Sequence, residues 1–294
     1  MRQLNEMNPT FDARTLANDL HDVNRIYAHL FAILDTTRWD TPARRGRNEW
    51  TLHETIAHLC ALNGAGLESV KHTLRGESFM FSGLDSRYQL SAYNRKGIDA
   101  QLSTPPGELC TRFLHIHDEA GDIAAALQPG QAELAAPMPI YNRPVQIVEA
   151  LSIMLMHAGL IHTAQVAEPA GVPPLWMQLN ADLRHRVIGR VMRAFSLLYR
   201  HDIGDPLRAA IAFRVGGPGG GDWHVDVSPE AATSDEGLPE RPSLVVHLRR
   251  TDDFCRMLTG RFNLPLALMS GRLKLRGDLR LFPRMSKLFS PDAR

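Results

Sequence analysis

The chain has 294 residues, 44% hydrophobic and 22% charged, which is a globular composition with room for two ordinary domains. Its 33 Lys and Arg nearly balance 32 Asp and Glu, a formal charge of +1, so overall charge gives no reason to expect nucleic acid or an anionic membrane as partner. Three scattered cysteines, Cys60, Cys110 and Cys255, exclude a disulfide framework or a Cys-x-x-Cys metal site, and residues 1–6 lack the apolar core of a signal peptide. A cytoplasmic protein without a membrane span is expected.

Leu16, Leu20, Val23, Tyr27, Leu30 and Leu34 recur at intervals of three and four, which predicts an amphipathic helix over 10–34. Thr41-Pro42 and the basic run Arg44-Arg45-Gly46-Arg47, read as a solvated connection, interrupt it. Thr51 with Glu54 three residues on predicts a capping box opening a second helix to about Leu74. Residues 76–104 read as a connection with a short helix. Pro105-Pro106 opens a third stripe through Leu109, Phe113, Ile116, Ala120 and Ile123, which Pro129-Gly130 closes. Pro144 fits a first helical turn, and Val145 to Val166 is apolar enough to be the most buried helix. Four long helices predict a bundle.

Pro169, Pro173 and Pro174 mark a linker over 169–174, and the period then changes. A helix from about Leu175 to Tyr199 precedes two alternating segments, 207–215 and 223–227, around a glycine run. That run, residues 216–221, lacks the Lys-Ser/Thr of a phosphate loop and precedes a strand, so it reads as a hairpin turn. Leu244 to Leu248 predicts a strand, Thr251 to Leu258 a short helix, Arg272 to Leu275 a strand, and Leu279 to Phe289 a closing helix. The fold class is therefore α+β and multidomain: a four-helix bundle over 1–168, then an α/β domain over 175–294.

The bundle resembles the DinB-like superfamily, in particular its mycothiol-dependent maleylpyruvate isomerase branch. The resemblance rests on Trp50-Thr51-Leu52-His53-Glu54-Thr55-Ile56-Ala57-His58, on Tyr93-Asn94, on Pro106-Gly107-Glu108-Leu109 and on the histidines of the last helix. The second domain resembles the sterol carrier protein type 2 family through Leu244 to Leu248, Asp253-Phe254, Gly260, Gly271 to Asp278 and the closing helix, which implies a mostly antiparallel sheet and an apolar cavity. The first resemblance implies a divalent metal, zinc foremost and nickel or iron next, held by His58, His157 and His162. It also implies a low-molecular-weight thiol, a small-molecule substrate, pairing into a homodimer, and isomerase or thiol-transferase chemistry, with the second domain shaping the substrate entrance.

Glu54 and Glu149 lie four and eight residues before His58 and His157, on matching helical faces, and are auxiliary carboxylate candidates. His157 and His162 are five apart, where the family usually has four. Five residues of α-helix turn about 500°, which leaves these side chains about 140° apart. Both reach one metal only if the helix is locally distorted, as at a π-bulge. A regular helix predicts instead a degraded site and a non-catalytic carrier of an apolar ligand.

Overall fold

The structure, a computed structural model, describes residues 12–34, 36–42, 49–141, 143–201 and 207–289. The basic run at 44–47 lies outside them. The chain divides into two compact units, Met1–Gln178 and Leu179–Arg294.

In the first unit, α1 (Ala13–Ile33) starts where the Asp12 carboxylate accepts the Thr15 N–H at 2.8 Å, and it buries Leu16, Leu20, Val23, Tyr27 and Leu30. The capping box read from Thr51 and Glu54 is present at the start of α2 (Leu52–Leu74). The connection after it contains α3 (Leu90–Asp99), and α4 (Pro106–Ala126) opens on proline as expected. Helix α4 packs against α1 and α2, and Asn24 of α1 donates to the Leu114 carbonyl and to Asp118.

The last apolar stretch does not start as a helix at Pro144. Ala135–Ala136 (β1) and Val145–Gln146 (β2) form a short antiparallel pair, and α5 (Ile147–Met156) starts after Gln146, which forms a capping box with Glu149. One turn of π-helix follows at His157–Ile161, then α6 (Thr163–Ala170). Ile147–Ala170 is 24 residues of continuous helix, long and apolar enough to cross a bilayer by length and composition, which the sequence reading had excluded. However, 78% of its apolar window is buried in the protein, as befits the core helix of a bundle.

The units separate after Gln178, beyond the 169–174 segment read as a linker. Pro169 is buried within α6, and Leu175 and Trp176 are buried in a short 3₁₀ turn of the first unit. The helix expected from Leu175 is accordingly broken at Asn180, whose side chain accepts the Leu183 N–H at 2.9 Å and starts α7 (Ala181–Leu198).

The second unit holds β3 (Ala209–Val215), β4 (Gly221–Val227), β5 (Ala232–Glu236), β6 (Leu244–Leu248) and β7 (Leu273–Gly277) in the order β5-β4-β3-β6-β7. Only β3 and β6 run parallel. One face buries Ile211, Phe213, Trp223, Val225, Leu244, Val246 and Leu273. The glycine run is the β3–β4 hairpin turn, and a Cβ at Gly220 would overlap the Val215 carbonyl oxygen. Helices α8 (Thr251–Leu258), α9 (Leu264–Met269) and α10 (Leu281–Leu288) complete the unit.

Candidate metal centre

The distortion that the five-residue spacing requires is present. The His162 N–H donates to the His157 carbonyl at 3.2 Å, an i→i+5 bond, in place of the Ala158 carbonyl it would meet in an α-helix. The buried Tyr27 hydroxyl donates to that Ala158 carbonyl at 2.9 Å and so compensates for the missing partner. One wide turn thus brings His157 and His162 onto one face, their ring centroids 4.5 Å apart.

His58 of α2 completes the group, with ring centroids 4.8 Å from His157 and 4.9 Å from His162. One ligand nitrogen from each of the three lies within 4.8 Å of the others. His58 is 2% and His157 9% exposed, and His162 is half-buried at the solvent side. The Trp50 ring lies 5.8 Å from His162 at an interplanar angle of 22°, and 4.5 Å from His58, covering both imidazoles.

Hydrogen bonds set the imidazole tautomers. His157 Nδ1–H donates to Asn63 Oδ1 at 2.8 Å, so its Nε2 carries a lone pair. The Asn63 amide N–H donates in turn to Nε2 of the fully buried His117 at 3.0 Å. His162 Nδ1–H donates to Gln165 Oε1, which leaves its Nε2 free to face the other two rings. His58 Nε2 faces His157 Nε2 at 2.9 Å, where a single proton can sit between two nitrogens, and His58 Nδ1 is buried without a hydrogen-bond partner. Burial holds His58 and His157 well below the ordinary histidine range, and their imidazole neighbours push the same way, so both are neutral at pH 7.

Residues 201–290 match the SCP-2 sterol transfer family. Among solved structures, the mycothiol-dependent maleylpyruvate isomerase superposes with a TM-score of 0.55 at 14% identity, over 85% of this chain and 89% of that one. A His-to-Ala mutant of that enzyme gives 0.57 at 13%, over 90% and 92%. The fold is thus similar to that of this isomerase over most of the chain, with the family match confined to residues 201–290. At such identity the likeness carries the fold alone. Hydroxysteroid dehydrogenase-like protein 2 of Homo sapiens is 28% identical over 114 residues, 39% of this chain and 27% of that protein. Its Bos taurus counterpart is 33% identical over 89 residues, 30% and 21%. The chain spans about a quarter of the length of these relatives.

Of the site residues named from sequence, the helical unit brings together the three histidines. Both carboxylates cap their helices: Glu54 accepts from the Thr51 N–H and pairs with Arg95 at 2.8 Å, and Glu149 accepts from the Gln146 N–H. Sequence reasoning missed Asn63, His117 and Gln165. Gln165, three residues after His162, sits at a helical spacing that could have suggested it. All three cysteines are buried, and desolvation pushes each thiol up to about 12.

Proposed function

We propose that the chain is a metal-dependent enzyme in which His58, His157 and His162 hold a divalent ion, zinc by ligand preference, that readies a low-molecular-weight thiol or another nucleophile for reaction with a small molecule. The π turn carries this reading. A wide turn costs helical hydrogen bonding, and here it serves to put two histidines on one face opposite a third, with Tyr27 holding the freed carbonyl.

The donor set fits such an ion. His58 and His157 are neutral, and Asn63 and Gln165 accept the Nδ1–H of His157 and His162, as hydrogen-bond acceptors commonly do behind metal-bound histidines. Two nitrogens on a tetrahedral zinc at 2.0–2.1 Å stand about 3.3 Å apart. The Nε2 atoms of His58 and His157, at 2.9 Å, need to part by a few tenths of an ångström. Three protein ligands leave a position open, and His162 lies at the solvent side, where a nucleophile can enter.

A bound divalent ion would lower the pKa of a thiol or water in that open position. The chain's own part is to hold the ligand nitrogens deprotonated, to shield them with Trp50, and to keep its own thiols out of the reaction. With every cysteine buried and protonated at neutral pH, any reacting thiol comes from solution. Isomerisation or thiol transfer is the reaction class, supported by the likeness to the mycothiol-dependent isomerase. The SCP-2 unit would bind an apolar small molecule, as the name of the matched family suggests.

Cobalt-substituted protein titrated with a low-molecular-weight thiol tests the assignment. A thiolate-to-metal charge-transfer band that is absent from the His162→Ala protein is expected. Bound cobalt whose spectrum ignores the thiol would overturn the thiol chemistry.

A further inference from the structure

The near-neutral charge of the chain conceals a polarity. Residues 254–289 hold eight Lys or Arg and one acidic residue, Asp278, so the remainder of the chain is net negative. Helix α9 lies within this basic stretch, and of its six residues only Ala267 is buried. Leu264, Leu266, Leu268 and Met269 are 37, 51, 47 and 82% exposed. Single exposed leucines are ordinary, but four large aliphatic side chains turned outward within six residues are not.

The helix holds them there. The Asn263 side chain accepts the Leu266 N–H at 3.1 Å, and the Ser270 hydroxyl donates to the Leu266 carbonyl at 2.7 Å, so both ends are tied. Cationic side chains stand at both ends too. The Arg272 guanidinium lies 5.3 Å from the centre of the Phe262 ring, just before α9, while also pairing with Asp253. The Lys274 stem runs beside Gly271, just after it. Strand alternation places Lys274 and Arg276 on one face of the edge strand β7, both exposed.

We propose that α9 and the basic residues flanking it form a docking surface for an anionic lipid bilayer. Aliphatic side chains enter the boundary between headgroups and acyl chains, while lysine and arginine meet lipid phosphates and carboxylates. A nucleic acid would instead call for exposed aromatic rings to stack on bases, and Phe262 and Phe282, the aromatic residues nearest the patch in sequence, are both partly buried. The surface lies wholly within the second unit and is independent of the metal reading. It also shows why the whole-chain charge of +1 misleads: the average hides a segment that an anionic membrane would attract.

Co-sedimentation of the full-length protein with vesicles tests the proposal. Binding to phosphatidylcholine vesicles containing phosphatidylserine is expected, falling steeply with added salt and at least about tenfold weaker on phosphatidylcholine alone. Lys274→Gln with Arg276→Gln should weaken binding roughly 25-fold, about fivefold per charge. Leu266→Ser with Met269→Ser keeps the charge and should weaken it at least about tenfold. Both pairs are exposed, so an unchanged urea midpoint verifies that the variants fold. Absence of binding to anionic vesicles, binding that the Leu266/Met269 variant retains in full, or binding to single-stranded RNA in place of vesicles would each overturn it.

Discussion

Replacing Asn63 with leucine removes the one side chain that holds both His157 and His117. Asn63 is 2% exposed, its oxygen accepts from His157 Nδ1–H at 2.8 Å, and its nitrogen donates to His117 Nε2 at 3.0 Å. Leucine leaves a buried imidazole N–H without an acceptor and a buried ring nitrogen without a donor. At about 1–3 kcal/mol for each unsatisfied group, the bundle should lose about 2–6 kcal/mol. The tautomer of His157 is then no longer fixed, and zinc affinity should fall about 10–100-fold. Asn63→Asp separates the two effects: it keeps the acceptor for His157 and loses the donor to His117, so affinity should stay near the parent's while stability drops. Urea unfolding of metal-free protein measures the first quantity, and zinc competition against a chelator measures the second. A leucine variant that unfolds at the parent's midpoint and binds zinc as tightly would refute the relay.

Tyr27→Phe removes only the hydroxyl that serves the Ala158 carbonyl, and should cost about 1–3 kcal/mol by urea unfolding and weaken metal binding through the π turn. His117 is fully buried, and burial lowers its pKa from 6.5 to about 4, opposed by nearby Asp118. The unfolded chain therefore takes up that proton first as pH falls. The His117 contribution should be complete above pH 6.5 and decline through the window down to about 4, by up to about 3 kcal/mol, in unfolding curves of metal-free protein. The three buried cysteines should react with a disulfide reagent only at the rate of unfolding, and all three rapidly in denaturant; a thiol labelled at once in the native protein would contradict their burial.

The sequence made the elements with strong local signals legible. Strand β6 and helix α8 lie where alternation and the start at Thr251 put them, and the capping box at Thr51 marks α2 to the residue. Strand β5 was missed because Ala232–Glu236 is a polar edge strand with no buried residue, so it has no hydrophobic period to read. Helix α9 was missed because six residues with Pro265 in the first turn give no stripe. At the candidate metal centre, family pattern and spacing named the three histidines and stated the distortion they would need. What supplies that distortion was not legible. Tyr27 reads as one more apolar position of α1, and the bond it makes spans 131 residues. Asn63 reads as a polar interruption in α2, although its partners lie on α4 and in the π turn.

Metal content of the untagged full-length protein, measured by plasma mass spectrometry beside His58→Ala, tests the central claim most directly. About one equivalent of zinc, or of nickel or iron, in the parent and none in the variant is the predicted result. Parent protein that stays empty after supplementation with all three metals, or a His58→Ala protein that keeps a full equivalent, would contradict it.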